Sequence, residues 1–309
     1  MKLRIIVIGG SAGSIQVIVE IARALPRELQ AAVMVVVHSV PRQRSYLPYI
    51  IRPVCKLPVR MVSDGDRVHV GEISICPPDR HLVVAPDHLH LSRGPKEGLH
   101  RPSINATFRS AAIAYGNCVI GVLLSGMLDD GAAGMWEIAN RGGTTVIQDP
   151  EDASYPSMPL NALQDAQIDF RAHSAEIGPL ITKLASGEMK NERIDPLEDE
   201  SEGLFSGLTC PECRGPLYEI RRKGPAEFKC RVGHVISLTT LLDEQTSTQE
   251  RKLYEAIVAL KEGAELADYA AARIEGADQD ELRREAEQLR QQAETVRRMI
   301  EERKVSRIG

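Results

Sequence analysis

Three residue types that together make a nucleophile, a base and an orienting acid follow apolar runs in this 309-residue sequence. The first run, Leu3–Ile8, leads into Gly9-Gly10-Ser11-Ala12-Gly13-Ser14. The second, Val33-Met34-Val35-Val36-Val37, closes on His38. The third, Cys118–Leu124, leads into Met127-Leu128-Asp129-Asp130-Gly131. A glycine-rich turn between strand and helix either cradles phosphate or presents a nucleophilic serine. Gly9–Gly13 fits G-x-S-x-G, whereas G-x-G-x-x-G fails because Ser11 stands at its second glycine. The second strand also ends in His38 where a ribose-binding acid belongs, which disfavours a nucleotide-binding module. A histidine at a neighbouring strand end is placed to accept the serine proton. The structural alternatives are a His38 bonded to a backbone carbonyl and an Asp129-Asp130 pair that caps a helix. One acid of the pair can cap while the other orients a histidine. Triad logic depends on geometry, not chain order, and the order Ser, His, Asp differs from that of ordinary α/β-hydrolases.

A second constellation is Cys210-x₂-Cys213, followed after sixteen residues by Cys230-x₃-His234. Three thiolates and one imidazole make a closed tetrahedral site for structural Zn²⁺. A module of this size, 204–240, needs such a staple in order to fold. An iron centre and unligated thiols are the alternatives. Cys55, Cys76 and Cys118 lie in or beside apolar runs and read as reduced core residues. Arg214, Arg221, Arg222, Lys223, Lys229 and Arg231 make the module basic. No series of base-stacking aromatics accompanies them, so contact with the acidic linker or docking to a protein partner stands at least level with nucleic-acid binding.

The elements that must hold these residues follow from hydropathy pattern. Apolar runs of strand length alternate with amphipathic segments such as Ile15–Leu25 and Ile104–Ala114, and a fourth run lies at Thr144–Ile147. This predicts a doubly wound α/β domain with a mainly parallel sheet over 1–187. Glu72–Ser92 reads as shorter strands and a hairpin attached to that sheet. Residues 188–203 form an acidic linker; 188–202 hold seven acidic and two basic side chains. Over 246–305, Leu253, Ile257, Leu260, Ala264, Ala267, Ala271 and Ile274 repeat at 4-3 spacing, as do Leu282, Ala286, Leu289, Ala293, Val296 and Ile300. Two helices are expected, paired as a hairpin or as a coiled-coil homodimer, or laid on the rest of the protein.

Composition bounds the function. The net charge of −5 gives general nucleic-acid binding no support, and 43% hydrophobic residues suffice for a core. Aromatics make up 4%, with one Trp, so that core is aliphatic. No signal peptide or membrane-spanning run is present, and a cytoplasmic protein without direct membrane insertion is expected.

Gly9–Ser14, Val35–Pro41 (VVVHSVP), Ile75–Val84 (ICPPDRHLVV), His100–Ala112 (HRPSINATFRSAA), Leu123–Met135 (LLSGMLDDGAAGM) and Gln148–Pro159 (QDPEDASYPSMP) resemble, in order, the motifs of the CheB-type protein-glutamate methylesterase domain of bacterial chemotaxis. The resemblance covers about residues 3–185. It implies a doubly wound α/β fold, Ser11 as nucleophile, His38 as base and Asp130 as orienting acid, leaving Asp129 as a capping acid. It implies hydrolysis of glutamate methyl esters on chemoreceptor helices, with deamidation of certain glutamines, and no catalytic cofactor. Three departures stand out. Ala12 and Ser14 replace a common Thr and a second Gly, and Asn105 replaces a usual acid in Arg101-Pro102-Ser103-Ile104-Asn105. The chain also starts at the catalytic domain, so a phospho-acceptor receiver domain is not expected to switch it.

The expected chemistry follows. His38 takes the Ser11 proton as Oγ attacks the ester, and the Ala12 N–H stabilises the oxyanion. Met127 lines the same pocket, and Arg101 either steers an acidic receptor helix or fixes a loop. His69, His81, His88, His90, His100 and His173 show no partner pattern and read as structural. The expected partner is a methylated receptor helix or another methyl-esterified protein. The helical tail serves dimerisation, docking or autoregulation, for instance as an internal mimic of a receptor helix. A catalytically silent scaffold of the same fold is the alternative.

Overall fold

The structure is a computed structural model that describes residues 3–39, 45–189, 201–221, 224–273, 275 and 277–305. Most of the acidic linker, the Arg222-Lys223 pair and Ile274 lie outside the described residues. The chain divides into two compact units, Met1–Thr240 and Leu241–Gly309.

The first unit is built on seven parallel strands. In chain order they are β1 (Arg4–Gly10), β2 (Ala31–Val37), β3 (Val59–Met61), β5 (Ile73–Ile75), β8 (Val119–Leu123), β9 (Thr144–Gln148) and β10 (Phe170–Ala172). Their spatial order is β10-β9-β8-β1-β2-β5-β3. Helices α1 (Ser14–Ala24), α2 (Leu47–Ile51) and α6 (Ser174–Ser186), together with α3 (Ile104–Tyr115), α4 (Ala132–Asn140) and α5 (Ser157–Asp165), complete the winding.

The unbroken apolar runs are explained by two cores. Ile6, Ile8, Val33 and Val35 pack with Val17, Ile18 and Ile21 of α1 and Ile177 and Ile181 of α6. Ile5, Val7, Met34 and Val36 pack on the other face with Ile104 and Phe108 of α3 and Met135 and Ile138 of α4. A strand buried on both faces has no position for a polar residue. Cys76 and Cys118 are buried and Cys55 is half-buried, and burial pushes the Cys76 thiol up to about 12.

The hairpin expected on the main sheet instead forms its own sheet. Strands β6 (His81–Ala85) and β7 (His88–Ser92) pair antiparallel, and β4 (Asp66–Arg67) joins β7. Leu82, Val84 and Leu89 turn its apolar face onto the second core, so face-to-face packing replaces edge pairing.

Residues 201–240 continue the same unit. Strands β11 (Ser201–Thr209), β12 (Pro216–Arg221), β13 (Glu227–Cys230) and β14 (Val235–Ser237) form an antiparallel sheet in sequence order.

Helix α7 (Leu238–Ala271) starts with Leu238–Thr240 in the first unit, and its remainder forms the second unit together with α8 (Ala277–Val305). Ala264, Ala267 and Ala286 are buried together with Leu282 and Leu289 against them, and Asp268 pairs with Arg290. The 4-3 repeat is therefore the seam of a hairpin within one chain, and small side chains let the two backbones approach closely. No helix among the described residues is long and apolar enough to cross a membrane.

Candidate active site

The strand order reverses at β1, with β2 on one side and β8 on the other, and open α/β sheets place their sites at such a crevice. Register makes the ends level: Gly10 lies beside Val37 and Gly9 beside Leu123. Ser11, His38 and the segment following β8 therefore emerge together at the carboxyl edge. The Ser11 N–H donates to Ser125 O at 2.9 Å, and the His38 N–H to Gly10 O at 3.2 Å.

Ser11 Oγ lies 3.1 Å from His38 Nδ1. His38 Nε2 lies 2.7 Å from Asp130 Oδ2. An ionised carboxylate accepts only, so Nε2 carries the proton and Nδ1 presents its lone pair to the serine hydroxyl.

Asp130 is buried, and its carboxylate sits at the N-terminus of α3. It accepts the Ile104 N–H at 2.7 Å, the Asn105 N–H at 3.0 Å and the Ser103 hydroxyl at 2.9 Å. Burial alone would raise its pKa. The hydrogen bond and charge of His38, with the Asn105 N–H, outweigh burial and hold it near about 2. The carboxylate bonded to His38 is thus an anion secured by a helix terminus.

Asn105 answers reciprocally. Its Oδ1 accepts the Gly131 and Gly134 N–H groups at 3.0 and 2.7 Å, capping α4. The amide that replaces the family's acid thus performs the capping expected of Asp129. Asp129 does not cap α4, which has no side-chain cap of its own at Gly131. Its carboxylate instead accepts the Thr240 hydroxyl at 2.7 Å. Burial raises the Asp129 pKa, against hydrogen bonds from Ser237 and Thr240.

The turn around Ser11 is shaped by two glycines. Gly13 has φ of +79°, and a Cβ there would stand 2.7 Å from Ser125 Oγ. A Cβ on Gly126 would meet Met158 Sδ at 1.9 Å and Ser11 Cβ at 2.9 Å, so the backbone at Gly126 lies directly against the serine. Ser14 Oγ donates to Ser11 O at 2.7 Å and secures the start of α1. The Ala12 N–H has no acceptor among the described residues, while its carbonyl accepts Ser125 Oγ at 2.8 Å.

Met127 is 58% exposed beside this turn. Ile15, Tyr46 and Tyr155 are also exposed, and Tyr155 packs on Gly13. A cavity of about 270 Å³ opens beside His38, lined by Ile15, Tyr46, Leu47, Ile50 and Cys76 among others. The catalytic edge is therefore rimmed by apolar side chains.

Arg101 makes no hydrogen bond or ion pair with Ser11, His38 or Asp130. Its guanidinium donates to Asp79 at 2.7 and 3.0 Å and to the Gly94 and Arg93 carbonyls at 2.9 and 3.2 Å, fixing a loop. His81 is structural, bonded to Pro95 O and accepting the Ser103 N–H. His100 is not merely structural: its ring stacks on that of His38 with centroids 3.7 Å apart and planes 14° apart. Burial and the adjacent His38 push its pKa down to about 4, so the stacked ring is neutral near pH 7. Its position just before Arg101 in the HRPSIN motif was a usable signal, since that motif opens the helix that seats Asp130.

The ligand atoms of Cys210, Cys213, Cys230 and His234 all lie within 4.8 Å of one another. Cys213 Sγ is 3.6 Å from Cys230 Sγ, and His234 Nδ1 is 3.5 and 3.7 Å from the Cys230 and Cys210 sulfurs. A tetrahedron with metal–sulfur bonds of about 2.3 Å and a metal–nitrogen bond of about 2.0 Å has edges of roughly 3.5–3.8 Å. The residues thus fit a metal ion. At Cys230 burial is outweighed by the His234 N–H, the Cys213 thiol and the Gly233 and Val232 N–H groups, which favour the thiolate.

Residues 6–181 match the family model described as CheB methylesterase. A protein of Leptospira interrogans, provisionally named protein-glutamate methylesterase/protein-glutamine glutaminase, is 29% identical over 191 residues, 62% of this chain and 99% of that one. Protein-glutamate methylesterase/protein-glutamine glutaminase 1 of Xanthomonas oryzae is 34% identical over 186 residues, 59% of this chain but 53% of that protein. The chain thus spans about half the length of the latter relative. The crystal structure of the Thermotoga maritima CheB methylesterase catalytic domain superposes with a TM-score of 0.57 at 28% identity, covering 60% of this chain and all of that one.

Proposed function

Because the chain belongs to the CheB methylesterase family, whose model spans residues 6–181, we propose that Ser11, His38 and Asp130 hydrolyse glutamate methyl esters on chemoreceptor-like proteins. The observation that carries this reading is the continuous hydrogen-bonded path from Ser11 Oγ through both His38 nitrogens to a helix-anchored Asp130. His38 Nδ1 takes the hydroxyl proton as Oγ bonds to the ester carbon. The Ala12 N–H faces the oxyanion, aided by the N-terminus of α1. His38 returns the proton to the departing methoxide, releasing methanol and leaving a glutamyl ester on Ser11. Water then adds by the same route, its proton passing through His38 back to Ser11 Oγ. Deamidation of glutamine follows the same path with ammonia leaving.

The rim of Ile15, Tyr46, Met127 and Tyr155 suits the apolar flank of an amphipathic helix presenting its esterified side chain to Ser11. The four-ligand cluster is assigned to structural Zn²⁺, since three sulfurs and one imidazole leave no open position for catalysis. We place the protein in the cytoplasm, where such thiols stay reduced, and in a chemotaxis-like signalling pathway.

The test is methanol release from methylated receptor preparations, with a fluorophosphonate probe reporting serine reactivity. Ser11→Ala is expected to abolish probe labelling and lower hydrolysis by about 10⁴-fold or more. Full methanol release by folded Ser11→Ala overturns the assignment, and an unreactive wild type favours the silent scaffold.

A further inference from the structure

The metal-binding module meets the rest of its unit at two points of the catalytic edge. The first begins one residue after the ligand His234. Val235 O accepts the Gly98 N–H at 2.8 Å, and the Val235 N–H points to Lys96 O at 3.4 Å. Gly233 abuts Pro95. Lys96 pairs with Glu212 at 2.9 Å, and Arg109 bridges Glu97 and Glu227. Among the described residues the module thus docks through its acids Glu212 and Glu227, and Arg214, Lys229 and Arg231 make no ion pair to the rest of the unit. The loop it grips is closed by mutual backbone bonds between Glu97 and His100, and His100 is the ring stacked on His38.

The second point is Thr240. Its hydroxyl donates to Asp129, and Ser237 of β14 accepts the Thr240 N–H at 3.1 Å. Thr240 is 1% exposed and Asp129 5%. Asp129 precedes Asp130 directly, so a buried hydroxyl from the module anchors the segment that carries the orienting acid.

We propose that the metal-binding module is a positioning part of the hydrolytic site: an occupied Cys210/Cys213/Cys230/His234 cluster sets the His38 ring through Val235 and His100, and Asp130 through Thr240 and Asp129. This rests on the hydrolase reading. A module of this size holds its turns only when its ligands are tied together. When the ligands part, the Lys96–His100 loop loses its backbone partner and Asp129 keeps a buried carboxylate without its hydroxyl. Thr240 and His100 act through Asp130 and His38 and are positioning residues.

The experiment uses the full chain under reducing conditions, loaded with zinc, stripped by chelator and reloaded. Histidine ring resonances, fluorophosphonate labelling of Ser11 and ester kinetics are read at each stage. Stripping is expected to shift the His38 and His100 signals and slow labelling by about tenfold or more, since small misplacements in an active site are that costly. Reloading restores both. Thr240→Val, with zinc content unchanged, is expected to lower kcat by about tenfold at constant KM, and Thr240→Ser to recover most of it. Unchanged ring signals and labelling after stripping, or wild-type kcat in zinc-loaded Thr240→Val, overturns the proposal. If loaded wild type never labels Ser11 while its ring signals still follow zinc, the coupling stands and the hydrolase reading falls.

Discussion

Asp130→Asn isolates what the anchored carboxylate contributes. In the native site Oδ2 accepts from His38 Nε2 and Ile104 N–H, and Oδ1 from Ser103 Oγ and Asn105 N–H. An amide offers one acceptor oxygen. With the oxygen at the Oδ2 position, the NH₂ confronts the Asn105 N–H. Reversed, it confronts both Ile104 N–H and His38. Either way at least one buried donor faces a donor, costing about 1–3 kcal/mol. The lost charge adds a pH-dependent part. The folded pKa of about 2 lies below the ordinary aspartate value of 3.8, so the carboxylate stabilises the fold above the unfolded pKa. That depression is worth about 2–3 kcal/mol near neutrality, falling to roughly half by pH 3 and vanishing below pH 2. Urea unfolding followed by Trp136, the single tryptophan, is expected to give a wild-type minus Asp130→Asn difference that is largest above about pH 5 and shrinks as pH falls. Metal loss at low pH is common to both proteins and cancels. Turnover is expected to drop by about 10⁴-fold, because the amide favours the wrong histidine tautomer. A stability difference independent of pH between 3 and 7 would refute the reasoning.

Gly126→Ala is expected to displace Ser11 and crowd buried Met158, destabilising by about 1–3 kcal/mol with a disproportionate fall in probe labelling, measured by thermal melting and labelling rate. In the helical unit, Ala286→Leu inserts a large side chain opposite Ala264, and a loss of about 1–3 kcal/mol in hairpin stability is expected by far-UV circular dichroism. A 1,10-phenanthroline titration with colorimetric detection is expected to release one zinc per chain, and Cys213→Ser to release none.

Much of this could be read along the chain. Ile5 to Ile8 alternate between two cores, so the run is apolar throughout and marks a parallel strand. Ser11 and His38 each follow such a run, and parallel strands deliver their ends to one edge. The Cys-x₂-Cys and Cys-x₃-His spacings are local and chemically explicit. The 4-3 alanines were equally legible, although spacing alone left hairpin and dimer both open.

What escaped the sequence lay in long-range pairings. Asp129 and Asp130 are adjacent and of one type, yet one binds the N-terminus of α3 and His38 while the other binds a hydroxyl 111 residues away. Arg101 reads as a possible substrate contact until Asp79, 22 residues off, takes its guanidinium. The β6–β7 hairpin reads the same whether it extends the main sheet or packs on it. The HRPSIN motif marks His100 as belonging near the site, but nothing local to it names His38 as the ring it stacks on. By itself the sequence determined the alternation of elements, the strand-end chemistry and the ligand set, because periodicity and chelate spacing are properties of contiguous residues. Only the tertiary structure decided what Asp129 binds, what caps α4 and where the metal module docks. Those choices depend on which helix termini and loops packing brings together, and that geometry is set by burial across the whole unit.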